Sequence, residues 1–315
     1  MQKILETTLQ VYKRVLKLMG NRFEISVVHF DESEANKKID LAIAEIQRIE
    51  ALLTTFNDYS ITAEINLNAG LRPVKVPSEV FNLISRSLKI SELTQGAFDI
   101  TYGSIDKKLW NFDVNMTSLP DAETAKQMVK LINYKNVICD NANCTVFLKL
   151  KGMRIGFGGI GKGYAADRAK YILQSNGISS GIVNAAGDLV TWGTQIDGKP
   201  WTAGIADPNQ TNHVFSSLNI SNLAIATSGN YEKYATINGK KYSHTIDPKT
   251  GFPVTGIKSV SIICPSAELA DALATPVMVM GVKTGLHLLN QMNNIASIIV
   301  DDNDRVFTTR NINFL

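Results

Sequence analysis

The feature that most restricts this chain is the octamer Gly156–Gly163, GFGGIGKG, set between a β-like run and the helical stretch YAADRAKYILQSNG. A strand that enters a helix through a turn almost bare of side chains brings backbone N–H groups to the positive end of that helix. Two familiar patterns overlap here. Gly156, Gly158 and Gly161 satisfy GxGxxG, and Gly156, Gly161 and Lys162 satisfy the Walker pattern up to its final Ser or Thr, where Gly163 stands. Without that hydroxyl the Walker reading lacks its magnesium ligand. The dinucleotide-binding reading lacks a βαβ unit with an acid about 20 residues on, because the next acid after the helix, Asp188, lies inside NAAGDL. What remains is a phosphate or pyrophosphate cradle with Lys162 beside it. A tight turn that packs closely on its sheet accounts for the octamer equally well.

Around this turn, helices and strands mix without a βαβα rhythm, which predicts an α+β class. A strand is expected over 22–30. A helix follows, with Ile39, Ile43, Ile46, Ile49, Leu53 and Phe56 on one face. Further helices are expected from Ser78 to just before Gly96 and from Asp121 through Ile132. KNVI and TVFLKL are expected to form a hairpin, and MRIGF reads as a strand leading into the glycines. After Gly177 come GIVNAAGDLVTWG, PWTAGIADP, LAIATSG and GIKSVSIICP as β runs, then the helix SAELADALATPVMVMG, a short helix and a last hairpin, ASIIVDD with RVFTTR.

The 315 residues carry 44% hydrophobic and 19% charged side chains and a net charge of +3, ordinary values for a packed globular chain. So small a charge, with Lys and Arg scattered, argues against a nucleic-acid partner. No apolar run reaches the ~20 residues of a transmembrane helix, and the first residues have no apolar signal core. The expected compartment is therefore the cytoplasm, unless a leader has been removed. Cys139 and Cys144 flank DNAN in the hairpin, where they either pair or stay reduced. No CxxC or Cys/His cluster points to zinc.

Five segments, taken in order, resemble the ApbE family, the FAD:protein FMN transferases once labelled thiamine-biosynthesis lipoproteins. They are LMGNRFEI, TQGAFDITYGSI, GGIGKGYAADRA, the pair ATSGNYEKY and YSHTIDPKTGFPV, and ELADALATPVMVMG. The resemblance spans nearly the whole chain. It implies one ApbE-type domain over 1–315, an α+β fold of mixed sheets and packed helices in two interlocked lobes with FAD between them. Its implied reaction moves FMN from FAD onto a Thr or Ser hydroxyl of an acceptor flavoprotein, with Mg2+ and release of AMP. The alternatives are a Mg2+-dependent FAD pyrophosphatase and a non-catalytic FAD-binding protein.

The same resemblance places the metal on Asp271, Thr275 and the Gly159 carbonyl. Asp271 and Thr275, four apart in ADALAT, share one helical face and offer hard oxygen ligands. It places FAD against Met19, Phe56, Ala97, Phe98, Asp99, Lys162 and Thr245, with Asp271 and His244 in catalytic roles and Asp99 a further candidate base. The DPKTG turn at 247–251 is expected to hold the end of the preceding strand at the site. Three positions depart from the family pattern: Gly156 replaces an Asp, Phe56 replaces a Tyr, and NAAGD replaces NxGGD.

Overall fold

A computed structural model describes residues 8–106, 118–207, 210–230, 234–237, 240–310 and 312. Residues 231–233, inside the ATSGNYEKY segment, lie outside the described residues. The order begins β1 (Gln10–Leu18), β2 (Asn21–His29), α1 (Glu32–Leu53), α2 (Ile61–Leu67), β3 (Val74–Lys75), α3 (Ser78–Leu93), α4 (Ala122–Met128), β4 (Val137–Asp140) and β5 (Thr145–Leu148). It continues α5 (Gly161–Ser175), β6 (Gly181–Ala185), β7 (Asp188–Trp192), β8 (Trp201–Asp207), β9 (Gln210–Ile220), β10 (Ala224–Gly229), β11 (Tyr234–Ile237) and β12 (Lys240–Ser243). The chain closes with β13 (Ile257–Cys264), α6 (Ala267–Leu289), β14 (Ala296–Asp301) and β15 (Val306–Thr308).

An eight-stranded sheet in the order β1-β2-β6-β7-β10-β13-β14-β15 forms the frame. Alternation along its strands sends side chains to two cores. Ala224 and Ala226 of β10, and Val260 and Ile262 of β13, face a large core with α1, α5 and α6. Ile225 and Ile263 face the opposite side, where Trp201, Ala203 and Ile220 of the β8–β9 hairpin cover them. Burial on both faces explains why β7 reads as a continuous run, DLVTW, with every residue buried.

Several local expectations change. The α1 face runs from Ala35 to Leu53 as the spacing predicts, but the helix ends there, and Phe56 lies beyond it, 96% exposed. α3 begins at Ser78 as expected, but Ser78 does not cap it: Pro77 holds the N-cap position and no side chain closes that end. Asp121 does cap α4, accepting the Glu123 and Thr124 N–H groups, but the helix stops at Met128. MRIGF is not a strand. Its backbone bonds run to side chains and loops: Ile155 N–H to Asn66 Oδ1, Arg154 N–H to Ser104 Oγ, Gly156 N–H to the Ile100 carbonyl. Cys139 pairs in register with Val146 while Cys144 sits in the turn, so the cysteines are not opposed and both are free thiols.

The strands β1 and β9 and the helix α2 have no counterpart in the sequence reading. α6 is long and apolar enough by composition to cross a membrane. It is broken at Gly281, whose φ of 79° interrupts the helix, so neither straight part reaches the ~20 residues a span needs. Its N-terminal half lies against β10, β13 and α5.

Candidate active site

The glycine turn delivers α5 against the start of α6. At Gly163 an added Cβ would stand 2.1 Å from the Ala267 carbonyl oxygen and 2.9 Å from Asp271 Cβ, so only glycine permits this contact. The position that a Walker motif fills with a hydroxyl is here the point of closest approach between two helices. Asp167, further along α5, fixes the same junction: its carboxylate accepts from Ser266 Oγ and from the N–H groups of Ala267 and Glu268, capping α6.

Lys162, Asp188 and Asp271 meet at this junction. The Lys162 ammonium is 2.5 Å from Asp188 Oδ2 and 3.4 Å from each Asp271 oxygen. Asp271 Oδ2 also accepts the Gly163 N–H at 3.0 Å. Both carboxylates are buried, at 4% and 6% exposure, where an unpaired charge would be costly. Burial works against the charge on Lys162, but Asp271 and Asp188 outweigh it and hold its pKa above the ordinary value. One turn along α6, Thr275 Oγ1 lies 3.0 Å from Ser228 Oγ of β10. Asp271 and Thr275 therefore share a face, as their spacing predicts.

The turn itself is partly committed to its own fold. The Ile160 and Gly161 N–H groups donate to the Phe157 carbonyl, and Gly163 donates to Asp271. Its open tip is Gly158, exposed, with no atom within 4 Å of where a Cβ would stand. Phe98 packs 3.5 Å from the Cβ position of Gly159, and Met19 Cε lies 3.7 Å from that of Gly161. Met19, at φ 49°, is held through its N–H by Glu50. Two of the expected FAD neighbours thus line the turn.

The others are placed differently. Asp99 is 8% exposed, and its carboxylate already accepts from Thr101 N–H, Thr101 Oγ1 and Tyr134 N–H. Burial raises its pKa against those bonds. It caps the short 3-10 turn Ile100–Ser104 and ties the 97–104 loop to Tyr134, rather than presenting a carboxylate to a ligand. Ala97 borders a cavity of about 420 Å³ with Gln95, Asp247, Lys249, Met280 and His287. Neither Lys162 nor Asp271 lines this cavity. Phe56 projects into solvent, and its neighbour Thr55 lies 3.9 Å from the Cβ position of Gly156. His244 is exposed at the bend after β12. Thr245 is nearly buried; its carbonyl accepts the Val254 N–H across the DPKTG turn, and the next N–H, of Ile246, donates to Tyr102 Oη. That turn seats Gly251 against α4, where a Cβ would be 2.1 Å from the Ala125 carbonyl.

Two residues that the sequence shows only as members of NAAGD and ATSGNYEKY, without a role of their own, join the centre: Asp188 through Lys162 and Ser228 through Thr275. Among the described residues no group of three or more His, Cys, Asp or Glu could hold a metal. Asp271 and Thr275 nonetheless set a carboxylate and a hydroxyl one turn apart on α6, oxygens of the kind a hard cation takes.

Comparison with known proteins agrees with this architecture. The family model described as the ApbE family matches residues 19–299. A protein of Klebsiella pneumoniae named FAD:protein FMN transferase is 32% identical over 296 residues, covering 93% of this chain and 90% of its own length. The crystal structure of an ApbE protein from Thermotoga maritima superposes with a TM-score of 0.86 at 30% identity, covering 97% of this chain and 99% of that one. The apo flavinyl transferase ApbE of Pseudomonas stutzeri shares the fold, with a TM-score of 0.83 at 24% identity and 98% of each chain covered. A family match that takes in the glycine turn, the Lys162 centre and the whole of α6 leaves one conclusion: the chain belongs to the ApbE family.

Proposed function

We propose that this ApbE-family enzyme transfers FMN from FAD to a Thr or Ser hydroxyl of an acceptor protein and releases AMP. The observation that carries the reading is the meeting of the Lys162 ammonium and the Asp271 carboxylate at the bare N-terminus of α5, one helical turn from Thr275. An ammonium and a helix N-terminus suit a pyrophosphate, and the oxygen ligands beside them suit Mg2+.

Asp271, Thr275 and the Gly159 carbonyl would hold the cation. Bound there, Mg2+ offsets pyrophosphate charge and stabilises the leaving oxygen. Lys162 neutralises and orients a phosphate oxygen, and the open N–H groups at Gly158 and Gly159 receive another. Met19 and Phe98 wall the turn with apolar surface, and the exposed Phe56 offers a face on which a flavin ring can stack. The cavity beside Ala97 gives the nucleotide room.

In the reaction the acceptor oxygen forms a bond to the flavin-side phosphorus, the bond to the AMP oxygen breaks, and the hydroxyl proton passes to a base. Asp99 has its oxygens engaged and buried, and Asp271 accepts the Gly163 N–H and is the carboxylate assigned to the cation. His244, exposed on the same β12–DPKTG segment as Thr245, is the base we assign.

The test combines protein, FAD and Mg2+ with and without an acceptor protein carrying a Thr or Ser flavinylation site, and measures AMP together with flavin fluorescence on the acceptor. Labelled acceptor with equimolar AMP is the expected result. AMP and free FMN without labelling would replace the proposal with a pyrophosphatase, and intact FAD would replace it with a binding protein.

A further inference from the structure

The acidic neighbours of Lys162 are not equivalent. Asp188 lies at 2.5 Å and engages one oxygen; Asp271 lies at 3.4 Å and is nearly equidistant through both. We propose that Asp188 is the positioning residue for Lys162: it holds the ammonium off Asp271 and so keeps the Asp271 carboxylate available to a divalent cation. The inference rests on the metal reading given above.

Each partner is anchored by backbone rather than by a flexible loop. Asp188 opens β7, directly opposite Ala185, and the intervening turn is closed by the Gly187 N–H donating to Asn184 Oδ1 at 2.8 Å. Lys162 is the second residue of α5, and Asp271 is fixed by the Gly163 N–H. Asp188 comes from the sheet and Asp271 from a helix, so the ammonium is drawn toward the sheet. Two buried carboxylates and one ammonium leave the cluster with a formal charge of −1; a divalent cation at Asp271 turns this to +1, the sign a pyrophosphate needs. Without the charge of Asp188, the strongest attraction left to Lys162 is Asp271 itself. The ammonium would close on it and compete with the cation for the same oxygens.

The experiment is a Mg2+ titration followed by the rise in Tm, which reads metal binding without turnover. We expect Asp188→Asn to raise the Mg2+ concentration at the midpoint on the order of tenfold. Adding Lys162→Met should bring that midpoint back toward the wild-type value, because the competing ammonium is gone. An unchanged midpoint in Asp188→Asn, or a double variant as shifted as the single one, would overturn the inference. If Asp188→Asn alone does not fold, the double variant is compared with Lys162→Met; equal midpoints support the role and unequal ones refute it. If Mg2+ has no effect on the wild-type protein, the metal reading fails, and with it this one. A response shared equally by wild type and Asp188→Asn removes only the role of Asp188.

Discussion

Gly163 shows how one residue determines both what the chain resembles and what it is. Its missing side chain breaks the Walker pattern, and the same absence lets α5 touch the Ala267 carbonyl and donate to Asp271. Gly163→Ala should therefore cost about 3 kcal/mol or more, since the obstruction is backbone and cannot rotate away; urea unfolding measures it. Ala186 is the opposite case. It occupies φ 58° in the turn before Asp188, at a position the family fills with glycine. Ala186→Gly should raise stability by about 0.5–1 kcal/mol, the left-handed strain outweighing the added freedom of the unfolded chain. At this scale the sequence made Asp271 and Thr275 legible, because four residues on a helix is a local relation. Asp188 was not legible: it meets Lys162 across 26 residues and a change of element, and only its place directly after a tight turn hinted at a fixed role.

Among the elements, helices with a clear apolar face and strands buried on both sides could be read from pattern. β1 could not, because as an edge strand with Lys13, Arg14 and Lys17 it has little buried face to declare. MRIGF misled for the converse reason: it has strand-like residues, yet side chains of Asn66 and Ser104 take the place of a ladder. Between elements, polar ties set the geometry of the site. Asp167→Ala should cost about 2 kcal/mol by leaving the Ala267 and Glu268 N–H groups and the Ser266 hydroxyl without their acceptor at the start of α6. It should also weaken the Mg2+-induced rise in Tm, as Asp271 loses its register on α5. On the far side of α5, Arg48 joins Glu45 and Glu79, while Arg168 and Tyr164 reach the same two carboxylates. Hydrogen bonds from Arg48 lead in holding both Glu pKa values below the ordinary range. Folded values below unfolded ones mean that this contribution is complete above about pH 4.3 and is lost as pH falls through the lowered values. Arg48→Met should flatten the acid limb of a stability–pH curve between about pH 5 and 3 while leaving its shape near neutrality unchanged.

For the whole molecule, the eight-stranded sheet carries a core on each face, and the candidate site lies where β7, β10, α5 and α6 converge at the edge of the larger core. That convergence is the part of the fold no sequence window contains, and the ordered set of family segments stood in for it. The central claim is that FAD and Mg2+ meet at Lys162 and Asp271. Calorimetric titration of FAD with and without Mg2+, in wild type and Asp271→Ala, tests it most directly, because two ligands that share a site must couple reciprocally. We expect Mg2+ to tighten FAD binding by about tenfold or more in the wild type, about 1.4 kcal/mol of coupling, and to leave the affinity of Asp271→Ala unchanged. Full coupling in Asp271→Ala would place the metal elsewhere and contradict the account.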